Sequence, residues 1–249
     1  MNRTVPRTAM VLAAGLGKRM RPITDTIPKP LVRIAGKPLM DWGLEALDRA
    51  GVARAVVNTH YLGGQIAAHV ADRAHPSDRA HPSVTISDES DLLLDSAGGI
   101  VKALPLLGDE PFFVLNADTF WLDEDEPNLA ALARRWDEET MDILLLLADL
   151  AHATGHSGGT DFLLDGDGRL ARSRGDPAGL IYAGAAIVHP RIFEGAPAGP
   201  HSLNRYFDAA IASGRLFGHR LRGHWITVGT PDAIPLAEAA VARAPAEAS

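Results

Sequence analysis

Short apolar runs alternate with amphipathic stretches through the first half of the chain, and this alternation restricts the fold more than any other feature. Ala9 to Ala14, Ala53 to Asn58, Pro111 to Leu115 and Ile143 to Leu147 read as buried strands, with Ser83 to Ser87 extended. Between them, Pro38 to Ala50 places Leu39, Trp42, Ala46 and Leu47 on one helical face, and Gly51 ends that helix. Gly63 to Arg73, Ala97 to Leu104 and a segment within Pro127 to Trp136 read as further helices. Strands alternating with helices predict right-handed βαβ units. The expected fold is α/β: a Rossmann-like, mixed but mostly parallel sheet with helices on both faces.

After residue 150 the pattern changes. Asp161 to Leu164 and Arg169-Leu170 flank Asp165-Gly166-Asp167-Gly168, a hairpin turn signal. Leu180 to Val188 reads as a strand, Leu203 to Ser213 as a helix, and Arg215 to Leu221 and Trp225 to Val228 as strands. A last helix is expected from Pro231, with Thr230 as N-cap. No Pro/Gly/Ser linker separates residues 1–150 from 151–249, so 1–249 reads as one domain with a small mixed C-terminal portion. Arg73 to Asp78 is partly repeated in Arg79 to Ser83, which reads as a neutral loop duplication with solvated His75 and His81. His152-x-x-x-His156 has helical metal spacing, but Gly155, Gly158 and Gly159 argue against a helix there.

Composition removes several function classes. The 31 acidic residues outnumber 24 basic ones, a net charge of −7, which argues against nucleic acid as a partner. The absence of cysteine excludes a disulfide scaffold, zinc–thiolate sites and a thiol nucleophile. The longest apolar run, Ile143 to Ala148, is far too short to span a membrane, and the N-terminal residues lead into too short a stretch for a secretory signal. The expectation is a cytoplasmic enzyme or binding protein, monomeric or dimeric, without membrane partners.

The strongest chemical signal is Leu12-Ala13-Ala14-Gly15-Leu16-Gly17-Lys18-Arg19-Met20-Arg21-Pro22, continued by Pro28-Lys29-Pro30-Leu31. A strand ending in small residues and two glycines lets backbone N–H groups approach a phosphate chain. Arg19, Arg21 and Lys29 bring cations to the same mouth. Met20 stands where a dinucleotide fingerprint needs its third glycine, and no Gly-Lys-Ser/Thr follows for a Walker loop. Leu115-Asn116-Ala117-Asp118 ends another buried strand, where a carboxylate projects into the crevice that open α/β sheets use for ligands and suits Mg²⁺.

These segments resemble the signature of the sugar-phosphate nucleotidyltransferases, Ala-Gly-x-Gly-x-Arg-Met/Leu-x-Pro followed by Lys-Pro-Leu, and the likeness runs in order from Ala9 to about Ala239. The resemblance implies a nucleotide-binding half (1–150) and a sugar-binding half (151–249). It implies that Leu12, Ala13, Ala14, Gly15 and Gly17 hold the nucleotide, that Arg19 and Lys29 meet its phosphates, and that Asp118 ligates Mg²⁺. Glu89, Ser96, Ala97 and Gly98 fall on the element that recognises base and ribose. A carboxylate at Glu89 accepts from uracil N3–H or from guanine N1–H and N2–H₂, so UTP and GTP both remain open. Asn116, Asp161, Tyr182 and Gly184 fall on the sugar side.

In Gly223-His224-Trp225-Ile226-Thr227-Val228-Gly229-Thr230, Thr227 replaces the family's second metal-binding Asp, leaving that ligand open. Lys102 to Asp109, His189-Pro190 and Phe193-Glu194-Gly195 resemble the branch of cell-wall (peptidoglycan) recycling that transfers uridylyl from UTP to N-acetylmuramic acid α-1-phosphate. Guanylyl transfer from GTP to mannose- or heptose-1-phosphate is the second enzyme reading. A non-catalytic nucleotide-sugar-binding subunit is the reading from another class.

Overall fold

The computed structural model describes residues 5–73 and 82–244, so most of the Arg73–Ser83 repeat, with His75 and His81, lies outside the described residues. In chain order the elements are β1 (Thr8–Leu12), β2 (Arg33–Ile34), β3 (Lys37–Pro38), α1 (Leu39–Arg49), β4 (Arg54–Thr59), α2 (Gly63–Arg73), β5 (Ser83–Asp88), α3 (Asp95–Leu107), β6 (Phe112–Asn116) and β7 (Thr119–Asp123). Then follow α4 (Asn128–Arg135), β8 (Ile143–Ala148), β9 (Ala153–Thr154), β10 (Phe162–Leu164), β11 (Leu170–Arg172) and β12 (Ile181–Val188). The chain continues through α5 (Asn204–Ala212), β13 (Leu216–Arg220), β14 (Gly223–Thr227) and α6 (Ala233–Arg243).

A seven-stranded sheet in the order β13-β8-β12-β6-β1-β4-β5 forms the centre. β12 runs antiparallel to both its neighbours, and the other pairings are parallel. The continuous apolar runs are explained by their two buried faces. On β8, Leu144 and Leu146 join the core under α1 and α4, while Ile143, Leu145 and Leu147 join the core under α3 and α5. A third core packs α6 and Ile226 of β14 against Met20 and Phe120. This is a mixed α/β fold with a mostly parallel sheet.

From β1 the sheet grows through β4 to β5 on one side, whereas β6 lies on the other. The carboxyl ends of β1 and β6 therefore flank the point where strand order reverses, the place where such sheets open a ligand crevice. A small sheet β7-β14-β9 rises beside it, because the tight turn at Ala117-Asp118 sends the chain from β6 straight into β7.

Three local expectations change. α6 starts at Ala233 rather than Pro231: Pro231-Asp232 form a turn, and Thr230 offers its carbonyl to the Ala233 N–H instead of a side-chain cap. α3 continues through Pro105 to Leu107, whose burial holds the last turn before Gly108 (φ 89°) closes it on Leu104 O. The strand Thr119–Asp123 carries no separate sequence signal, because its apolar Phe120-Trp121 directly follows the turn.

Candidate active site

At the reversal point the glycine loop leaves β1. Thr24 Oγ1 donates to Gly17 O at 2.8 Å and pins the loop. Gly17 has φ 60°, and a Cβ there would stand 2.9 Å from the Thr24 methyl, so the position demands glycine. Among the described residues, the N–H groups of Ala14, Gly15, Leu16, Gly17 and Lys18 have no acceptor. They form a ready anion cradle.

Lys29 stands on the short 3₁₀ turn Lys29–Leu31, preorganised by Pro28 and Pro30. Its Nζ donates to Asp118 Oδ2 at 2.6 Å, joining the glycine-loop side of the crevice to the end of β6. The Asp118 side chain is 36% exposed, and its Oδ1 has no partner among the described residues. A cavity of about 350 Å³ opens at this pair, lined by Leu12, Ala13, Ala14, Gly15, Lys29, Ser96, Asn116 and Asp118 of the expected site. Pro30, Asn58, Leu93, Asp95 and Ala117 also line it and were missed. Asn58 carried a readable signal: it is a polar residue ending an apolar strand, the same cue that points to Asp118.

Other expected residues have different places. Arg21 is drawn away by Asp25 at 3.1 Å and is solvent-exposed. The Arg19 guanidinium rests against Gly229, 3.6 to 3.7 Å from the position of a Cβ there, at the edge of the crevice rather than in its lining. Glu89 is not a surface residue, and it stands behind the cavity rather than in its lining. It is 0% exposed, its Oε1 accepts Asn58 Nδ2 at 2.7 Å, and its Oε2 accepts the Leu94 N–H at 3.1 Å. Asn58 Oδ1 accepts the Ala13 N–H at 2.8 Å. A fully buried carboxylate needs such partners, and Glu89 thereby braces the cavity wall from behind.

Ala97 and Gly98 also lie outside the cavity lining, and both donate their N–H groups to His201 O. The glycines there admit protein rather than a nucleotide. A Cβ on Gly98 would meet Gly199 O at 2.6 Å, and one on Gly99 would meet Glu89 Oε1 at 2.6 Å.

On the expected sugar side, Gly184 (φ 78°) makes an irregularity in β12 that lets Thr119 and Asn116 approach, since a Cβ would stand 2.4 Å from Thr119 Oγ1. Tyr182 turns away, its ring 5.6 Å from that of Phe207, and its buried hydroxyl has no partner among the described residues. Burial pushes the Tyr182 pKa up. Asp161 uses Oδ2 to accept the Tyr182 N–H at 2.8 Å, outside the cavity.

Thr227 pairs with Thr119 in the β7–β14 ladder, and the next N–H, that of Val228, donates to Asp118 O at 3.1 Å. Directly opposed residues share a sheet face, and Thr119 Oγ1 reaches Ala183 O. Residue 227 therefore shares a sheet face with Thr119, next to Asp118 along the ladder, and does not itself line the cavity. Among the described residues no three His, Asp or Glu side chains converge as a metal cluster, and His156 instead contacts Gly159 O.

A glycine loop with open N–H groups, a lysine and a strand-end aspartate meet at one crevice. A model of the nucleotidyl transferase family matches residues 8–156. The chain belongs to this family. It is 42% identical over 240 residues to the N-acetylmuramate alpha-1-phosphate uridylyltransferase of Caulobacter vibrioides, covering 96% of this chain and 98% of that one. The protein of that name from Neisseria meningitidis is 36% identical, with 89% and 93% covered. A solved UDP-glucose pyrophosphorylase, complexed with UDP-glucose, shares the fold with a TM-score of 0.73 at 21% identity, covering 95% of this chain and 98% of that chain. This nucleotidyl transferase has no helix, among its described residues, long and apolar enough to cross a membrane.

Proposed function

We propose that the chain transfers a uridylyl group from UTP to N-acetylmuramic acid α-1-phosphate, releasing pyrophosphate, with Mg²⁺ as cofactor. The observation that carries this reading is the Lys29–Asp118 pair beside the open N–H cradle of the glycine loop. The names of the two relatives support the choice of base and sugar.

In the proposed reaction an anionic oxygen of the sugar phosphate forms a bond to the α-phosphorus, and the bond from that phosphorus to the bridging oxygen of pyrophosphate breaks. No side chain has to remove a proton, because the attacking oxygen already carries charge. The N–H groups of Ala14 to Lys18 cradle the triphosphate, and Lys29 neutralises the charge gathering on the departing pyrophosphate. Arg19, at the crevice edge beside Gly229, meets the same charge from outside. Asn116, which lines the same cavity, contacts the sugar phosphate in this reading.

Asp118 Oδ1, unpartnered among the described residues, fits a Mg²⁺ that takes its remaining ligands from phosphates and water. When bound, the ion supplies charge neutralisation and a template for the phosphates.

The test is pyrophosphate release from UTP, CTP and GTP, each with N-acetylmuramic acid α-1-phosphate, mannose-1-phosphate or glucose-1-phosphate. Fastest release from UTP with the N-acetylmuramic ester is expected. Preference for GTP with mannose-1-phosphate would overturn the base and sugar assignment, and nucleotide-sugar binding without turnover would make the chain a binding subunit.

A further inference from the structure

The crevice is polarised along the sheet. Lys29 and Asp118 mark its β6 side, whereas Asn58, at the end of β4, and Asp95, which opens α3 after β5, mark the other. Phosphates belong with the cation and the open N–H groups, so the base belongs at the Asn58–Asp95 end, where Leu12, Ala13 and Leu93 supply apolar wall.

The polar side chains at that end differ in what they still offer. Asn58 is committed, its Oδ1 to Ala13 and its Nδ2 to Glu89. Glu89 is buried behind with both oxygens taken. Ser96 Oγ accepts the Leu203 N–H at 2.9 Å. Asp95 is exposed at the cavity, its Oδ1 accepts the Ser96 N–H at 2.6 Å, and its Oδ2 has no partner among the described residues. It also holds φ 59°, a conformation that glycine adopts freely and that other residues take up mainly at functional or turn positions.

We infer that Asp95 is the base-reading residue of this site, its free carboxylate oxygen accepting the imide N3–H of uracil. This inference rests on the proposed uridylyl transfer. A carboxylate accepts but cannot donate. Uracil presents a donor at N3, whereas cytosine presents a lone pair there, which the carboxylate repels. Asp95 would thus separate two bases of equal size that the apolar walls cannot tell apart.

The experiment measures kcat/KM for UTP and CTP, and the dissociation constant of each without sugar phosphate, in the wild type, Asp95→Asn and Asp95→Gly. The amide of Asp95→Asn can donate to cytosine N3 and accept from its amino group. The UTP-to-CTP ratio should fall at least about tenfold in this variant, with the KM for the sugar phosphate unchanged. Asp95→Gly keeps the backbone conformation without strain and should also lose the preference. It decides the matter if the asparagine variant fails to fold. An unchanged ratio in either folded variant, or a wild type that binds UTP and CTP equally, overturns the inference. A wild type that prefers UTP in binding but releases no pyrophosphate with N-acetylmuramic acid α-1-phosphate overturns the proposed reaction instead.

Discussion

Two aspartates stand at opposite ends of the central sheet and have opposite surroundings. Asp118 follows β6 at the carboxyl end, with one lysine on Oδ2 and nothing on Oδ1 among the described residues. Asp142 precedes β8 at the amino end, and its Oδ1 takes Arg191 Nε at 2.7 Å and Arg215 Nε at 2.9 Å. The same guanidinium groups close onto Met141 O, Glu138 O and Glu139 O. Burial pushes the Asp142 pKa up, but the two arginines outweigh it and hold the carboxyl below its ordinary value. One end of the sheet is closed on itself and contributes stability. The other keeps an unsatisfied oxygen, and an incompletely partnered charge is what a ligand can complete.

The sharpest way to break this contrast is to exchange the two ends' roles by mutation. Asp118→Asn should lower turnover by about a thousandfold, and Lys29→Ala by about 100-fold, since charge stabilisation lost at the reacting phosphates costs roughly 3 to 4 kcal/mol. Both should unfold close to the wild-type temperature. Steady-state pyrophosphate release and a thermal melt together check this, and near-wild-type rates in both variants would remove the pair from the mechanism.

Asp142→Asn should do the reverse. It should cost about 2 kcal/mol of stability, a fall of roughly 4 to 8 °C in Tm, while activity per folded molecule is kept. A carboxyl whose pKa is depressed on folding stabilises above its unfolded value and loses that contribution as pH falls through the folded one. The gap between wild type and Asp142→Asn should therefore be full near pH 7 and close below about pH 4. A gap independent of pH would show that packing, not charge, sets it.

The smallest effect concerns Thr227, a neutral hydroxyl on the strand whose next N–H, that of Val228, donates to Asp118 O. Thr227→Asp should bring the chemical end closer to a conventional two-carboxylate metal site and lower the Mg²⁺ concentration for half-maximal activity several-fold at saturating UTP. Turnover itself need not rise, because the added anion also faces the sugar phosphate. An identical Mg²⁺ dependence would place residue 227 away from the metal.

What could be read in advance followed the range of the signal. The glycine loop and Asp118 are local strand-end features, and the sequence spacing that suggests them also places them at the reversal point. Glu89 could not be read this way, because its burial comes from Asn58 on β4 together with Leu94 and Gly99 at the start of α3. Tyr182 falls on the sugar side only through the family resemblance of its segment, and its packing against Phe207 beside the positive φ of Gly184 is a tertiary feature that likeness does not carry. Arg21 has its partner four residues on, in Asp25, a pairing that a count of cations at the mouth overlooks. Asp95 stands directly before Ser96 in the stretch whose likeness to the family points to base and ribose, but only its backbone conformation and cavity position single it out.

The place of β12 between β6 and β8 also fixes an order of events during synthesis. A nascent chain can bring β1, β4, β5 and β6 together soon after residue 116 emerges, but the outer edge of β6 stays open until Val188 has left the ribosome. Until then Thr119 lacks the Ala183 carbonyl that anchors the strand after Asp118. The end of the sheet that carries Asp118 is therefore among the last parts to mature, and an unfinished chain exposes an unpaired strand edge beside apolar side chains that β12 would cover.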